Sequence, residues 1–122
     1  MTTLLVVEDS ATEAKILTDC LQNSGFSVIS VMTAEAAKAI LAQKNIDAIL
    51  LDVVLPGQSG FGLCRELKRQ KNTCQIPIIL CSSKSGKMDK KWGIRQGATA
   101  YISKPIDPQE IVQTVQKILV DN

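Results

Sequence analysis

The stretch "DAILLDVVLP", residues 47 to 56, decides how the chain folds. Seven of its ten residues are apolar, and one carboxylate, Asp52, stands between Leu51 and Val53. A short apolar run without polar alternation suits a strand buried on both faces, as in a parallel sheet. Burial alone gives no reason for an ionisable group at the end of such a run.

On either side of it, strand-like and helix-like segments alternate. Toward the N-terminus, "TLLVVED" (3–9) is an apolar run cut by two acids. "SATEAKILTDCLQNSG" (10–25) follows, with Ala14, Leu17 and Leu21 at helical spacing. Ser10 with Glu13 three residues later predicts a capping box, and Gly25 a stop. "FSVISV" (26–31) alternates as a strand does, and Thr33 starts a helix over "TAEAAKAILAQKN" (33–45). Toward the C-terminus, the breaker-rich "PGQSGFG" (56–62) precedes a helix over "FGLCRELKRQK" (61–71). "IPIILCSS" (76–83) is β-rich, with Pro77 near its start, where proline is tolerated. "GKMDKKWGIRQG" (86–97) reads as a weaker helix 4 with Gly93 inside it, and "ATAYISK" (98–104) as strand 5. "DPQEIVQTVQKILV" (107–120) is a strong helix 5, capped by Asp107, with Pro108 in its first turn. Ile111, Val115, Ile118 and Leu119 line one face of it. The sum is an α/β chain of (βα)5 type, a three-layer sandwich around a five-stranded parallel sheet.

The bulk properties fit one domain over residues 1–122. Hydrophobic residues make up 45% and charged residues 21%, with only four aromatics, so the core is aliphatic. No apolar run approaches the ~20 residues that span a bilayer, and no secretion signal is visible, so the expected location is cytoplasmic, without membrane insertion. A net charge of +2 does not argue for nucleic acid. Lys84, Lys87, Lys90, Lys91 and Arg95 read as a solvated helix face. The four cysteines, Cys20, Cys64, Cys74 and Cys81, form no C-x-x-C pair, and the chain has no histidine. Neither a zinc site nor a disulfide framework is expected.

The strand ends hold the informative polar residues: Glu8 and Asp9, Asp52, Ser82 and Ser83, and Lys104. Strand 2 ends in Val31 and Met32, with no ionisable group. A strand order of 2-1-3-4-5 explains this, because strand 2 is then an edge and the other four surround one crevice at their carboxyl ends. Three carboxylates facing one crevice repel each other. Mg²⁺ removes that conflict, being a hard cation that takes carboxylate oxygens and phosphate together. With the ammonium of Lys104 and the hydroxyl of Ser82, the set suits a phosphoryl group, with Asp52 as nucleophile. A strand-end Asp, Ser or Lys taken singly is an ordinary turn or surface residue. The reading rests on their joint occurrence.

The residues that carry this reading, "VVEDS" (6–10), "LLDVVLPGQSGF" (50–61), "CSS" (81–83) and "GATAYISKP" (97–105), resemble the response-regulator receiver domain of two-component signalling, over essentially the whole chain. The resemblance implies a flavodoxin-like fold and a signalling module rather than an enzyme with a separate substrate. It implies that Asp52 is the phosphoacceptor and that Glu8, Asp9 and Asp52, with the Val54 carbonyl, hold Mg²⁺. It implies that Ser82 and Lys104 contact the phosphoryl oxygens and that Ser82 and Tyr101 form the switch pair. It also implies a cis bond before Pro105. The implied donor is a histidine kinase or a histidine phosphotransfer protein. The implied output is a downstream protein bound through helix 4, strand 5 and helix 5, where Ile94, Arg95 and Tyr101 contribute and Trp92 reports the change. "CRELK" and "WGIRQGA" further resemble chemotaxis-like receivers of type IV pilus motility or phototaxis.

Other classes fit less well. A haloacid-dehalogenase-like phosphatase wants a second Asp two residues after the nucleophile, where Val54 stands. A flavin or nucleotide binder wants a glycine or hydroxyl loop after strand 1, and "VEDSATEA" (7–14) is acidic and lacks glycine. A degenerate receiver used only for docking would not need the complete site.

Overall fold

The computed structural model describes residues 1–121. Five strands, β1 (Thr3–Val7), β2 (Ser27–Val31), β3 (Ala48–Asp52), β4 (Ile78–Ser82) and β5 (Ala100–Ser103), alternate with five helices. The helices are α1 (Ala11–Asn23), α2 (Ala34–Gln43), α3 (Gly60–Arg69), α4 (Lys87–Arg95) and α5 (Pro108–Asp121). All strand pairs are parallel, in the order β2-β1-β3-β4-β5, which is the expected flavodoxin-like topology. Every residue of β3 and β4 is buried, because helices cover both faces of the sheet.

The period-2 geometry of a strand divides the core in two. Leu5, Val7, Ile49, Leu51, Ile78 and Leu80 meet Ala34 and Ala37 of α2 and Leu63, Cys64 and Leu67 of α3. Leu4, Val6, Ala48, Leu50, Ile79, Cys81 and Ile102 face the other way. They meet Leu17 and Leu21 of α1 and Ile111, Val115 and Ile118 of α5. Each of these four helices therefore buries one stripe, and each half of the sheet's side chains has its own aliphatic core.

The helix starts follow their capping residues. Ser10, Thr33 and Ser59 each accept a hydrogen bond from the backbone N–H three residues on. Asp107 accepts one from the Gln109 N–H. Gly25 has φ +95°, as the expected stop after α1 requires. The capping box at Ser10 is made only in half. The Ser10 hydroxyl accepts from the Glu13 N–H, but the Ser10 N–H donates to Glu8 Oε2 at 3.1 Å. The Glu13 carboxylate is therefore released from that duty, because a nearer acid has taken it.

Other details modify the expectations without changing the architecture. Gly93 is the one buried residue of α4, and Trp92 is 46% exposed. Lys84, Lys87, Lys90, Lys91 and Arg95 are exposed, as a solvated face requires. Cys64 and Cys81 are buried, Cys20 and Cys74 are half-buried, and all four are free thiols. The Lys104–Pro105 bond is cis. Among the described residues, no helix is long and apolar enough to cross a membrane.

Candidate functional site

The strand order brings four carboxyl ends to one edge of the sheet. Past β1 the ladder continues by one bond, with the Glu8 N–H donating to Val31 O at 3.0 Å. Past β3 the Val53 N–H donates to Cys81 O at 3.1 Å, and past β5 the Lys104 N–H donates to Ser82 O at 2.9 Å. These bonds hold the backbone at Glu8, next to Asp52 and at Lys104, where the strands end at the crevice.

Glu8, Asp9 and Asp52 each place a carboxylate oxygen within 4.8 Å of the others. Glu8 and Asp52 are buried and Asp9 is exposed. Lys104 reaches into this group from β5. Its Nζ lies 2.6 Å from Glu8 Oε1 and 3.4 Å from Asp52 Oδ2. The predicted lysine is therefore not a solvated cation but a largely buried counter-ion. Asp52 also accepts a hydrogen bond on Oδ1 from the Val54 N–H at 3.3 Å. This leaves the Val54 side chain to point outward, at 55% exposure.

The environment sets the charges. Burial pushes the Glu8 carboxyl up to about 7, assisted by the negative charge of Asp52. The hydrogen bonds from Lys104 and the Ser10 N–H hold that rise back. Burial opposes the charge on Lys104, but hydrogen bonds to Glu13 and Glu8 and the nearby Asp52 outweigh it and raise its pKa above the ordinary lysine value. Beneath the site, burial pushes the Cys81 thiol up to about 12, so it stays neutral.

Ser82 is buried at the end of β4, and its Oγ accepts a hydrogen bond from the Lys84 N–H at 3.0 Å. The Tyr101 hydroxyl donates to the carbonyl of the same Lys84. The ring of Tyr101 stacks on Phe61, with centroids 6.4 Å apart. Ser82 and Tyr101 thus grip the two sides of one residue in the β4–α4 loop.

Two participants escape the sequence. Glu13 Oε2 lies 2.7 Å from Lys104 Nζ, so one ammonium serves three acids. The hydrogen bond from Lys104 holds the Glu13 carboxyl below its ordinary value, against the effect of burial. The signal was the capping pattern itself, which set an acid on the first turn of α1, beside the carboxyl end of β1. Phe61 is the other, and nothing in a loop-to-helix phenylalanine announces its stacking on Tyr101.

Comparison with known proteins agrees with this geometry. The family model described as the response regulator receiver domain matches residues 4–116. The chain is 36% identical to Protein PilH of Pseudomonas aeruginosa over 119 residues, covering 98% of each. It is also 36% identical to the phosphate regulon transcriptional regulatory protein PhoB of the same organism, but spans only 51% of that longer protein. Among solved structures, the receiver domain of the sensor histidine kinase PA1611 of P. aeruginosa superposes with a TM-score of 0.88 at 26% identity, over 97% of each chain. That crystal structure has a magnesium ion coordinated in its active site cleft.

Proposed function

The chain belongs to the response regulator receiver domain family, and from that premise we propose that the Asp52 carboxylate is the atom group that accepts the phosphoryl. The protein is a phosphoacceptor of a two-component phosphorelay, and its donor is a histidine kinase. An Asp52 carboxylate oxygen attacks the phosphorus of the phosphohistidine as the P–N bond breaks, and the imidazole departs with the electron pair. The chain has no histidine, so it cannot supply this donor itself. The observation that carries the reading is the placement of Asp52 within 4.8 Å of two further carboxylates and 3.4 Å from the Lys104 ammonium.

The donor set fits Mg²⁺. Glu8, Asp9 and Asp52 offer only hard oxygen ligands, and one ammonium does not balance them. When bound there, with the Val54 carbonyl as a further ligand, the ion would offset their repulsion and neutralise charge on the transferring oxygens. Lys104 would contact one phosphoryl oxygen, and the Ser82 hydroxyl would donate to another. The β3 backbone keeps Asp52 pointed into the crevice throughout.

Ser82 leaves the Lys84 N–H when it turns toward the phosphoryl group, and Tyr101 answers because it holds the carbonyl of that same residue. The face of α4, β5 and α5, with Ile94 and Arg95 beside Tyr101, would then change its affinity for a downstream protein. Ile94 and Trp92 are about half exposed on α4, which supports a contact surface there.

Incubation with acetyl phosphate and Mg²⁺ should add one phosphoryl mass to the wild-type chain and none to Asp52→Asn. Stoichiometric labelling of the variant at another residue would remove Asp52 from its role. Ser82→Ala should still take the label yet lose the phosphoryl-dependent change in partner affinity. An intact change in that variant would refute the switch.

A further inference from the structure

Glu13 is a third acid on Lys104 that the phosphoacceptor chemistry does not call for. An ammonium has three protons to donate. Here they face Glu8 at 2.6 Å, Glu13 at 2.7 Å and Asp52 at 3.4 Å. A phosphoryl oxygen on Asp52 needs one of them. Glu8 and Asp52 lie in the group of carboxylates suited to a cation, whereas Glu13 lies outside it. A cation at that group draws on the charge of Glu8 and Asp52 and leaves Glu13 as the undiminished partner of the lysine.

Glu13 is also free to act this way. Its helix-capping duty is taken by Glu8, which accepts from the Ser10 N–H. Its side chain is 44% exposed, against 2% for Glu8 and 7% for Asp52, so it alone of the three can swing into water without leaving a buried charge.

We propose that Glu13 is a positioning residue that acts through Lys104: it holds the ammonium as a counter-ion that competes with a phosphoryl group on Asp52 for the lysine. This rests on the phosphoacceptor reading above. Glu13 thereby lowers the affinity of the site for a phosphoryl group. The effect is modest because the pair is partly solvated, and it weakens with salt.

The test is calorimetric titration of the chain with beryllofluoride, a phosphoryl mimic, in the presence of Mg²⁺. Glu13→Gln keeps the length of the side chain and removes its charge. It should bind about 2- to 5-fold more tightly than wild type at low salt, a gain sized for a partly exposed pair. In a Lys104→Met background the same substitution should change nothing. Equal affinity of wild type and Glu13→Gln overturns the proposal, and so does an equal gain in the Lys104→Met background, which would mean that the charge acts without the lysine. The ¹⁵Nζ resonance of Lys104 in the metal-free protein gives a second readout. It should shift on Glu13→Gln, and an unmoved resonance overturns the proposal even if Lys104→Met binds too weakly to titrate. A wild-type chain that neither binds beryllofluoride nor labels at Asp52 overturns the phosphoacceptor reading together with this one. Normal wild-type binding with no response to Glu13→Gln overturns this one alone.

Discussion

Gly93 of α4 presents its bare α-carbon to the ring of Tyr101. A β-carbon there would lie 2.8 Å from Tyr101 Cδ2 and 2.9 Å from Leu80 Cδ1, well inside van der Waals contact. In an isolated helix a glycine costs about 1 kcal/mol relative to alanine. Here the lost propensity is exchanged for a seat for the tyrosine. Gly93→Ala should therefore destabilise the protein by about 1–2 kcal/mol through overpacking. In a Tyr101→Ala background, where Leu80 has room to move, the same change should stabilise by up to about 1 kcal/mol. Denaturant melts of the four chains check the reversal of sign, and a destabilisation of the same size in both backgrounds would contradict it.

Asp9 carries the charge that Lys104 does not serve. Glu8, Asp52 and Glu13 all lie within 4 Å of Nζ, and Asp9 has no ion-pair partner among the described residues. Without metal its charge adds repulsion to Glu8 and Asp52. Asp9→Ala should raise the melting temperature of the metal-free protein by about 2–5 °C, as expected for a small gain in a domain of this size. It should also reduce the stabilisation that Mg²⁺ gives wild type by mass action. Thermal melts with EDTA and with Mg²⁺ decide, and a lower melting point for metal-free Asp9→Ala would contradict the repulsion.

Glu8 makes the metal-free protein sensitive to pH. Its folded-state pKa of about 7 lies above the ordinary carboxylate value of 4.5. Between those values the folded chain keeps a proton that the unfolded chain has lost. Stability therefore falls as pH rises from about 4.5 to about 7, by at most about 1.4 kcal/mol per pH unit for one proton. The other two groups do not titrate in this window. Glu13 is shifted down, so its contribution is already present above the unfolded carboxylate value, and Lys104 is shifted up, so its contribution is lost only in strong alkali. Glu8→Gln should flatten the profile between pH 4.5 and 7 in EDTA. A wild-type profile that rises with pH across this window more than that of Glu8→Gln would reverse the sign and contradict the raised pKa.

Local patterns carried most of the architecture. The uninterrupted apolar runs at 4–7, 48–51 and 78–81 demand burial on two faces, and only helices on both sides of a parallel sheet supply it. Ser10, Thr33 and Asp107 announce helix starts because a cap satisfies a backbone donor within three residues. The absence of an ionisable group at the end of β2 marks the edge strand, so even the strand order is legible.

The fold, the crevice and the residues gathered there are therefore legible in the chain, since each depends on short-range patterns and on the one topology that unites them. How the charges are shared emerges only from contacts made on folding. Glu8 took the backbone donor meant for Glu13. Glu13 then reached across to Lys104, 91 residues away. Gly93 similarly reads as a helix defect until the ring of Tyr101 is set against it. The physical reason is common to both cases. Ion pairing and van der Waals contact act over a few ångströms in space, and residues distant in the chain come within that range only when the sheet has assembled.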